Sequence, residues 1–537
     1  MSETVGSRKG LGMGRHAPLI GISILGMFLA ILNQTVLNVV IPRLMTDFAV
    51  SANTAQWLLT GYMLVNGVLI PISAYMMETI GTRKLFIIAM SLFTIGSLLC
   101  GVAGSFSVMM MGRIVQAMGA GVIVPLVTNV VLFVFPPELR GRGMGILGVG
   151  MIFAPAVGPT LAGWVLEKYT WRLMFDGMMV MGLITVFLGI LFMKDVAPKR
   201  KIPMDVLGVV LSIIGFGGIL YGFSEAGPEG WSSMEVIVSL VVGGIGVFFF
   251  VIRQLSIEQP LLDFRVFKYD MFTLSTVINM IITMALYAGM FLLPIYLQTL
   301  RGFTPFESGL LLLPGALIAG LVTPISGILF DKIGPRPLAI VGLALTAATT
   351  FEFTQITLET SYSFIVMLYT VRSFAMSLLM MPIMTAGLNQ LPATSNSHGN
   401  AMSNTMRQIA GSIGTALLTT VYTTNTSNHF ATMTQGMNTY DTTFMQTFQG
   451  ALQKFASFSG LPIDQAKEVF SSLFFGDVAK HAATMGINDA FYWATGFTLL
   501  GLLLSLFLRD VRKDKKKVSP EERKESTRNE EQEVAVS

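Results

Sequence analysis

Apolar residues arrive along the chain in runs of about twenty, and the breaks between runs are clusters of glycine, proline and charge. At about 1.5 Å per helical residue such a run crosses the roughly 30 Å hydrocarbon core of a bilayer, so each run predicts one spanning helix. Seven fall near 18–40, 54–77, 85–104, 108–132, 143–166, 173–193 and 205–224. Seven more fall near 235–252, 271–297, 307–329, 338–357, 362–385, 405–424 and 488–508. The pattern describes an all-α polytopic membrane protein with fourteen transmembrane helices.

Basic residues near span ends stay on the cytoplasmic side, so alternate loops report orientation. The N-terminus and the loops on its side hold sixteen Lys and Arg, among them Arg83, Lys84, Arg140, Arg142, Arg253 and Arg336. The opposite short loops hold four, Arg43, Lys168, Arg172 and Arg301. This places the N-terminus inside, and an even number of spans returns the C-terminus inside, in agreement with the basic stretch from Arg509 to Lys517. The first run, Pro18 to Val40, exceeds the apolar region of a cleavable signal peptide and is expected to stay as a span.

The expected units are a cytoplasmic N-terminus (1–17), a six-helix bundle (18–193), and two linker helices with their loops (194–270). A second six-helix bundle (271–508) carries an extracellular segment (425–487), and a disordered cytoplasmic tail (509–537) follows. Within the extracellular segment Phe444, Phe448, Leu452 and Phe455 share one helical face. They predict an amphipathic helix resting on the bilayer or the protein, or a lid over an outward opening.

Composition narrows the function. Of 537 residues 53% are hydrophobic and 12% charged, against about 25% charged in soluble domains, which excludes an ordinary soluble enzyme. The net charge of +4 is spread between spans and not clustered with aromatics, so nucleic acid is not an expected partner. The single cysteine, Cys100, allows no intramolecular disulfide and no cysteine metal site, and His16, His398, His429 and His481 form no ligand motif. There is no GxxxxGK[ST] loop, so energy is expected from an ion gradient and not from ATP. An acyltransferase using His398 lacks a placed acid or nucleophile, and the inside loops are too short for a sensor's output domain.

An internal repeat organises the spans. Ala74-Tyr-Met-Met-Glu78-Thr-Ile-Gly81-Thr-Arg83-Lys84 follows the second span, and Gly327-Ile-Leu-Phe-Asp331-Lys-Ile-Gly334-Pro-Arg336-Pro337 follows the tenth, 253 residues later. Small residue, acid, glycine and arginine recur at matching spacing, the mark of a duplicated half. Arg113 and Arg372 sit alone in spans four and twelve, further pointing to duplication. The repeated loop resembles the signature between the second and third helices of the major facilitator superfamily. Leu32-Asn33-Gln34-Thr35-Val36-Leu37-Asn38, Gln56-Trp57-Leu-Leu-Thr-Gly61-Tyr62 and Arg113-Ile-Val-Gln116-Ala-Met-Gly119-Ala-Gly121 resemble that superfamily's fourteen-helix drug:proton antiporter family. Gly150, Pro155, Gly158, Pro159 and Gly163 resemble its antiporter motif, and Gln259 to Asp263 and Leu293 to Gln298 also match.

The resemblance implies the major facilitator fold, two six-helix bundles plus two inserted central helices, and multidrug export from the plasma membrane of a bacterium. It implies amphipathic substrates and protons as partners, no cofactor beyond a proton gradient, and function as a monomer; export of a physiological lipid, peptide or metabolite, uncoupled, is the alternative. In the repeated loops Glu78, Gly81, Arg83, Asp331, Gly334 and Arg336 would form a conformational switch, made in one state and broken in the other. An unpaired Arg113 in a span would cost on the order of 2.5 kcal/mol or more, so it is expected to face a polar interior, within reach of Asn33. Many members of the family carry an aspartate where this chain has Asn33, which an amide cannot replace as a proton carrier.

The remaining proton-coupling candidates are Asp176, Glu225, Glu307 and Glu352, with Arg113 as a coupling cation. Glu352 is the deepest carboxylate by position, and Arg372 on the next span is placed to pair with it. Asn33, Gln34, Gln56, Trp57, Tyr62, Gln116, Asn279 and Arg372 are candidates for the substrate cavity, beside an adaptable face of Met376, Met380 and Met384. The stripe Ala154, Gly158 and Ala162 suits close packing of another helix.

Overall fold

The computed structural model describes residues 13–510 apart from 197–198, 200–202, 228, 436 and 438–441. Most of the predicted cytoplasmic tail and N-terminus therefore lies outside the described residues. The first six helices are α1 (Met13–Phe48), α2 (Ala52–Ile80), α3 (Thr82–Gly101), α4 (Phe106–Val134), α5 (Arg140–Lys168) and α6 (Arg172–Phe192). Then come α7 (Val206–Ala226), α8 (Met234–Ser256), α9 (Asp270–Pro294), α10 (Pro305–Ile333), α11 (Pro335–Glu352) and α12 (Tyr362–Leu388). The last are α13 (Asn396–Thr434), α14 (Thr442–Ser459) and α15 (Ile463–Ser505).

Among the described residues, α1 to α12 are long and apolar enough to cross a membrane. The other two bundle helices, α13 and α15, run 39 and 43 residues and pack lengthwise against α9. α13 is rich in Thr and Asn. It turns its polar side inward, and both helices continue past the end of the bundle. One half is α1 to α6, and the other is α9 to α13 with α15. One end of the bundle carries the basic loops and is called here the basic end; the other is the far end.

Both halves show the same turn at the repeated loop. Gly81 between α2 and α3 and Gly334 between α10 and α11 each adopt φ of 86°. A side chain there would meet the left-handed penalty, so glycine is the residue that lets two helices join without a loop.

The halves meet along α5 and α10, which run antiparallel and nearly backbone to backbone. A Cβ on Gly145 would lie 2.9 Å from the Thr323 carbonyl oxygen, and one on Gly163 2.9 Å from the Phe306 Cα. Gly141 abuts Gly327 at one end of this seam and Gly309 abuts Thr160 at the other. The small-residue stripe also packs a helix closely, Gly158 lying against Thr35 of α1 within the first half.

The inserted pair α7 and α8 is held by its own small residues, with Gly215 and Gly218 against Gly246 and Gly243. Through Gly67 of α2 against Leu220, and Gly227 against Thr419 of α13, α7 covers the second seam between the halves. At the basic end of α7 the Asp205 side chain caps the helix through the Gly208 N–H and holds Arg253 at 2.7 Å. Burial opposes ionisation of Asp205, but hydrogen bonds from Arg253, the Gly208 N–H and Gln254 outweigh it and keep its carboxyl below the ordinary range.

At the far end α14 pairs with the first part of α15 as a helical hairpin. The face of α14 carrying Phe444, Phe448 and Phe455 stacks on Phe470 and Phe474 of α15, with ring centroids 5.1–6.2 Å apart. That face is therefore covered by the chain itself and does not lie on a bilayer. His429 of α13 meets Asp489 of α15 at 2.8 Å and ties the base of the hairpin.

Candidate substrate cavity

A cavity of about 570 Å³ lies between the halves, walled by α1, α2 and α5 on one side, α9, α10, α12 and α13 on the other, and α7 across the seam. Its surface is mainly apolar, with Met63, Met151, Met290, Met376 and Met380 offering adaptable contacts. Polar groups are few, including Gln56, Ser224, Gln298, Ser308, Tyr369, Ser373, Gln408 and Ser412. This mixture suits an amphipathic organic molecule.

Two helices are locally reshaped where they line it. Pro155 and Pro159 of α5 remove two backbone donors at the wall and free the carbonyls one turn earlier. After Pro294, α9 widens into a π-helical turn, Ile295–Leu300, which presents Gln298 to the cavity. Of the remaining antiporter-motif glycines, Gly150 packs against Met27 and Ile24 of α1.

Among the cavity residues expected from sequence, Gln56 and Arg372 line it. The others do not. Trp57 is largely exposed and stacks on Tyr221 of α7 at 5.7 Å. Gln34 is half-buried outside the lining, and Asn279 is buried within the second half.

Arg113, Tyr62 and Gln116 form a buried strut inside the first half. The guanidinium lies 4.1 Å over the Tyr62 ring and donates to the Leu58 carbonyl at 3.3 Å and to Gln116 Oε1 at 2.7 Å. Gln116 passes the chain on to Ser97 at 2.8 Å, and the Tyr62 hydroxyl donates to the Ala30 carbonyl. Tyr62 thus stands between Arg113 and α1, which corrects the expectation that Arg113 and Asn33 meet. Asn33 lies beside Tyr62, with neither of its polar atoms in hydrogen-bond geometry.

Arg372 is 3% exposed. It donates from Nη2 to the Ala285 carbonyl at 2.7 Å and from Nε to Thr350 Oγ1 at 3.4 Å. Its expected partner Glu352 is exposed at the last residue of α11, so the anticipated buried pair does not form. The helix ends there, and the acid points out of the bundle.

The other proton candidates are also away from the lining. Glu307 is exposed and closes a capping box with Thr304 at the start of α10. Asp176 rests against Gly101 of α3, at the periphery of the first half. Glu225 is half-buried at the far end of α7, in the chain between the lining residues Ser224 and Gly227. Among the described residues the charged ones buried within the helices of the bundle are Arg113 and Arg372, while the well-covered carboxylates Asp205 and Asp331 lie at the basic end.

The cavity is shut toward the basic end by polar contacts that bridge the halves. Asp331 of α10 accepts the Gly141 and Arg142 backbone N–H groups at the start of α5, at 3.1 and 3.2 Å. Arg140 donates to Asn389 at 3.2 Å, and Asn400 donates to the Pro125 carbonyl at 2.7 Å. Glu78 faces His398 Nε2 at 3.5 Å, while His398 Nδ1 accepts the Asp263 N–H at 3.3 Å. Both acids of the repeated loops therefore reach across to the opposite half. The arginines do not: the Arg83 N–H bonds Asp195 at 3.0 Å within the first half and Arg336 is exposed. Burial raises the cost of the Asp195 charge, yet Lys199 and the Arg83 N–H hold its carboxyl below the usual range.

Two participants carry no motif. His398, a loop residue by sequence, lies on the first turns of α13 as a gate contact. Arg407 is a third cation within the bundle, donating to Asn404 at 3.0 Å and interacting with the lining Tyr287. A lone arginine inside the run 405–424 was its sequence signal.

Comparison with known proteins agrees with this architecture. The family model "Major Facilitator Superfamily" matches residues 23–415. The uncharacterized MFS-type transporter YhcA of Bacillus subtilis (strain 168) is 55% identical over 93% of either chain. The lincomycin resistance protein LmrB of Listeria monocytogenes is 38% identical over 93% of this chain and 98% of its own. Among solved structures, that of the human organic anion transporter MFSD10 superposes with a TM-score of 0.60 at 11% identity, over 91% of this chain and 99% of that one. That likeness is one of fold. The chain thus belongs to the Major Facilitator Superfamily, and it is a polytopic membrane transporter, not an enzyme.

Proposed function

We propose that the chain exports amphipathic organic compounds, drugs among them, by alternating access in exchange for protons. One observation carries this reading: a largely apolar cavity between the halves, shut at the basic end by contacts that bridge them. Separating those contacts while the far ends close would present the same cavity to the opposite side. The excess of Lys and Arg makes the basic end cytoplasmic, with both termini inside the plasma membrane of a bacterium. The protein works as a monomer and needs no cofactor. Similarity to a lincomycin resistance protein supports drugs as cargo.

Glu225 is the acid best placed to carry the proton, since it is half-buried between the lining residues Ser224 and Gly227, whereas Glu307, beside the lining Ser308, is exposed and held in its capping box. The absence of any carboxylate among the lining residues favours a second reading, export of a physiological solute without proton exchange. Everted membrane vesicles containing the protein separate the two. With an imposed pH gradient, accumulation of compounds from an amphipathic panel that stops on adding a protonophore supports antiport. Accumulation that persists supports the second reading, and accumulation no greater than in control vesicles would reject export.

A further inference from the structure

We infer that the cavity selects organic anions, and that the Arg372 guanidinium is the group that recognises their charge. This rests on the export reading and names its substrate class. Arg372 is the one ionised side chain among the described residues that line the cavity, and no Asp or Glu lines it. An arginine stays protonated under all physiological conditions, so the cavity wall carries a permanent positive charge.

The guanidinium is also incompletely used by the protein. Nη2 and Nε have their acceptors in Ala285 and Thr350, but Nη1 has no protein acceptor among the described residues. Nη1 lies over Gly289, itself a lining residue, where an added Cβ would collide with it. Glycine therefore makes room for the guanidinium itself at the cavity wall. Ser373 and Tyr369, also in the wall, add hydroxyl donors on the same helix. Arg407 reinforces the field from behind Tyr287. The acids near the cavity, Glu225, Glu229 and Glu235 at the far ends of α7 and α8 and Glu307 in the first turn of α10, stand outside the lining.

A carboxylate or sulfonate head on Nη1, with an apolar body among the methionines, satisfies both the donor and the wall. A lipophilic cation placed there would face like charge with no counter-ion. An inside-negative potential drives an anion outward.

The test uses one apolar body with three head groups: pyrenebutyrate, its methyl ester, and the matching pyrenebutyl trimethylammonium. Binding to the purified full-length protein in nanodiscs is followed by pyrene fluorescence, and efflux by loss from proteoliposomes. The expected result is that the acid binds about tenfold tighter than the ester or the cation. Arg372→Gln should erase that preference, and Arg372→Lys should retain part of it. Should Arg372→Gln fail to fold, Gly289→Ala keeps the charge but pushes Nη1 out of the place it holds over the glycine. It should weaken the acid while leaving the ester unchanged. Equal binding of the three probes, or tighter binding of the cation, overturns the inference. Acid-selective binding without efflux of any probe supports the inference and counts against export instead, whereas efflux of the ester or cation in preference to the acid supports export and rejects anion selection.

Discussion

Replacing Asp331 by asparagine should move the protein away from the state that is shut at the basic end. The Asp331 side chain is 6% exposed. Its two oxygens accept the first backbone donors of α5, at 3.1 and 3.2 Å, and the Arg142 guanidinium approaches to 3.8 Å. The carboxylate is therefore a cap and a counter-charge for a helix of the other half. Asparagine keeps one acceptor oxygen but loses the second and the charge, a loss of about 1–2 kcal/mol at a partly buried helix terminus. Because the contacts bridge the halves, the loss falls mainly on the closed state and should change the closed-to-open ratio by about 5- to 30-fold.

The ratio can be read by double electron–electron resonance in nanodiscs. Cys100 is the sole cysteine and is buried, so Cys100→Ser gives a clean background. Spin labels at Lys84 and Arg336 would sit on exposed positions opening α3 and α11, one in each half. The longer-distance population should grow by the stated factor in the variant. A ratio within about twofold of the parent would refute the reasoning, since a 1 kcal/mol effect already exceeds it.

Other outcomes follow from individual contacts. Arg113→Lys keeps a cation but cannot span the Leu58 carbonyl, Gln116 and the Tyr62 face, so thermal stability in detergent should fall by about 1–3 kcal/mol; an unchanged melting temperature would show that the strut is not structural. Gly81→Ala and Gly334→Ala each place a side chain at φ of 86° and should cost at least about 1–2 kcal/mol, with an effect confined to one of them arguing against equivalent turns. For Asp205 the folded carboxyl titrates below its unfolded value, so its stabilisation is present above the unfolded pKa of about 4 and is lost as pH falls through the folded value. Asp205→Asn should therefore lower stability at neutral pH and flatten its dependence between about pH 2 and 5; an identical acid limb in both proteins would contradict the assignment.

The two halves and the inserted pair were legible in the sequence because apolar run length and loop charge are properties of a single helix in lipid. The repeated loop was legible down to residue type, since a glycine at positive φ leaves no alternative. Depth and facing were not. Glu352 lies within an apolar run, yet it faces outward at the last residue of α11 while Phe353 and Thr354 just beyond it are buried. The stretch around Asn396, Asn400 and Asn404 reads as a polar loop, but it is the start of α13. There Asn400 bonds the Pro125 carbonyl of the other half, a partner that only the tertiary fold supplies. Tyr62 illustrates the same limit, since helix depth alone places Arg113 level with Asn33 while the intervening ring decides that they do not meet.

Efflux through the cavity is the central claim, and the most direct measurement is flux in sealed proteoliposomes with a plug in the wall. Ser224 and Gly289 line the cavity from α7 and α9. With purified protein and an imposed pH gradient, an amphipathic compound should elicit its own efflux, accompanied by proton entry if the exchange is an antiport. Ser224→Trp and Gly289→Trp, each shown to be folded, should abolish that flux. Full flux through either plugged protein, or none through the parent across the whole panel, would contradict the account.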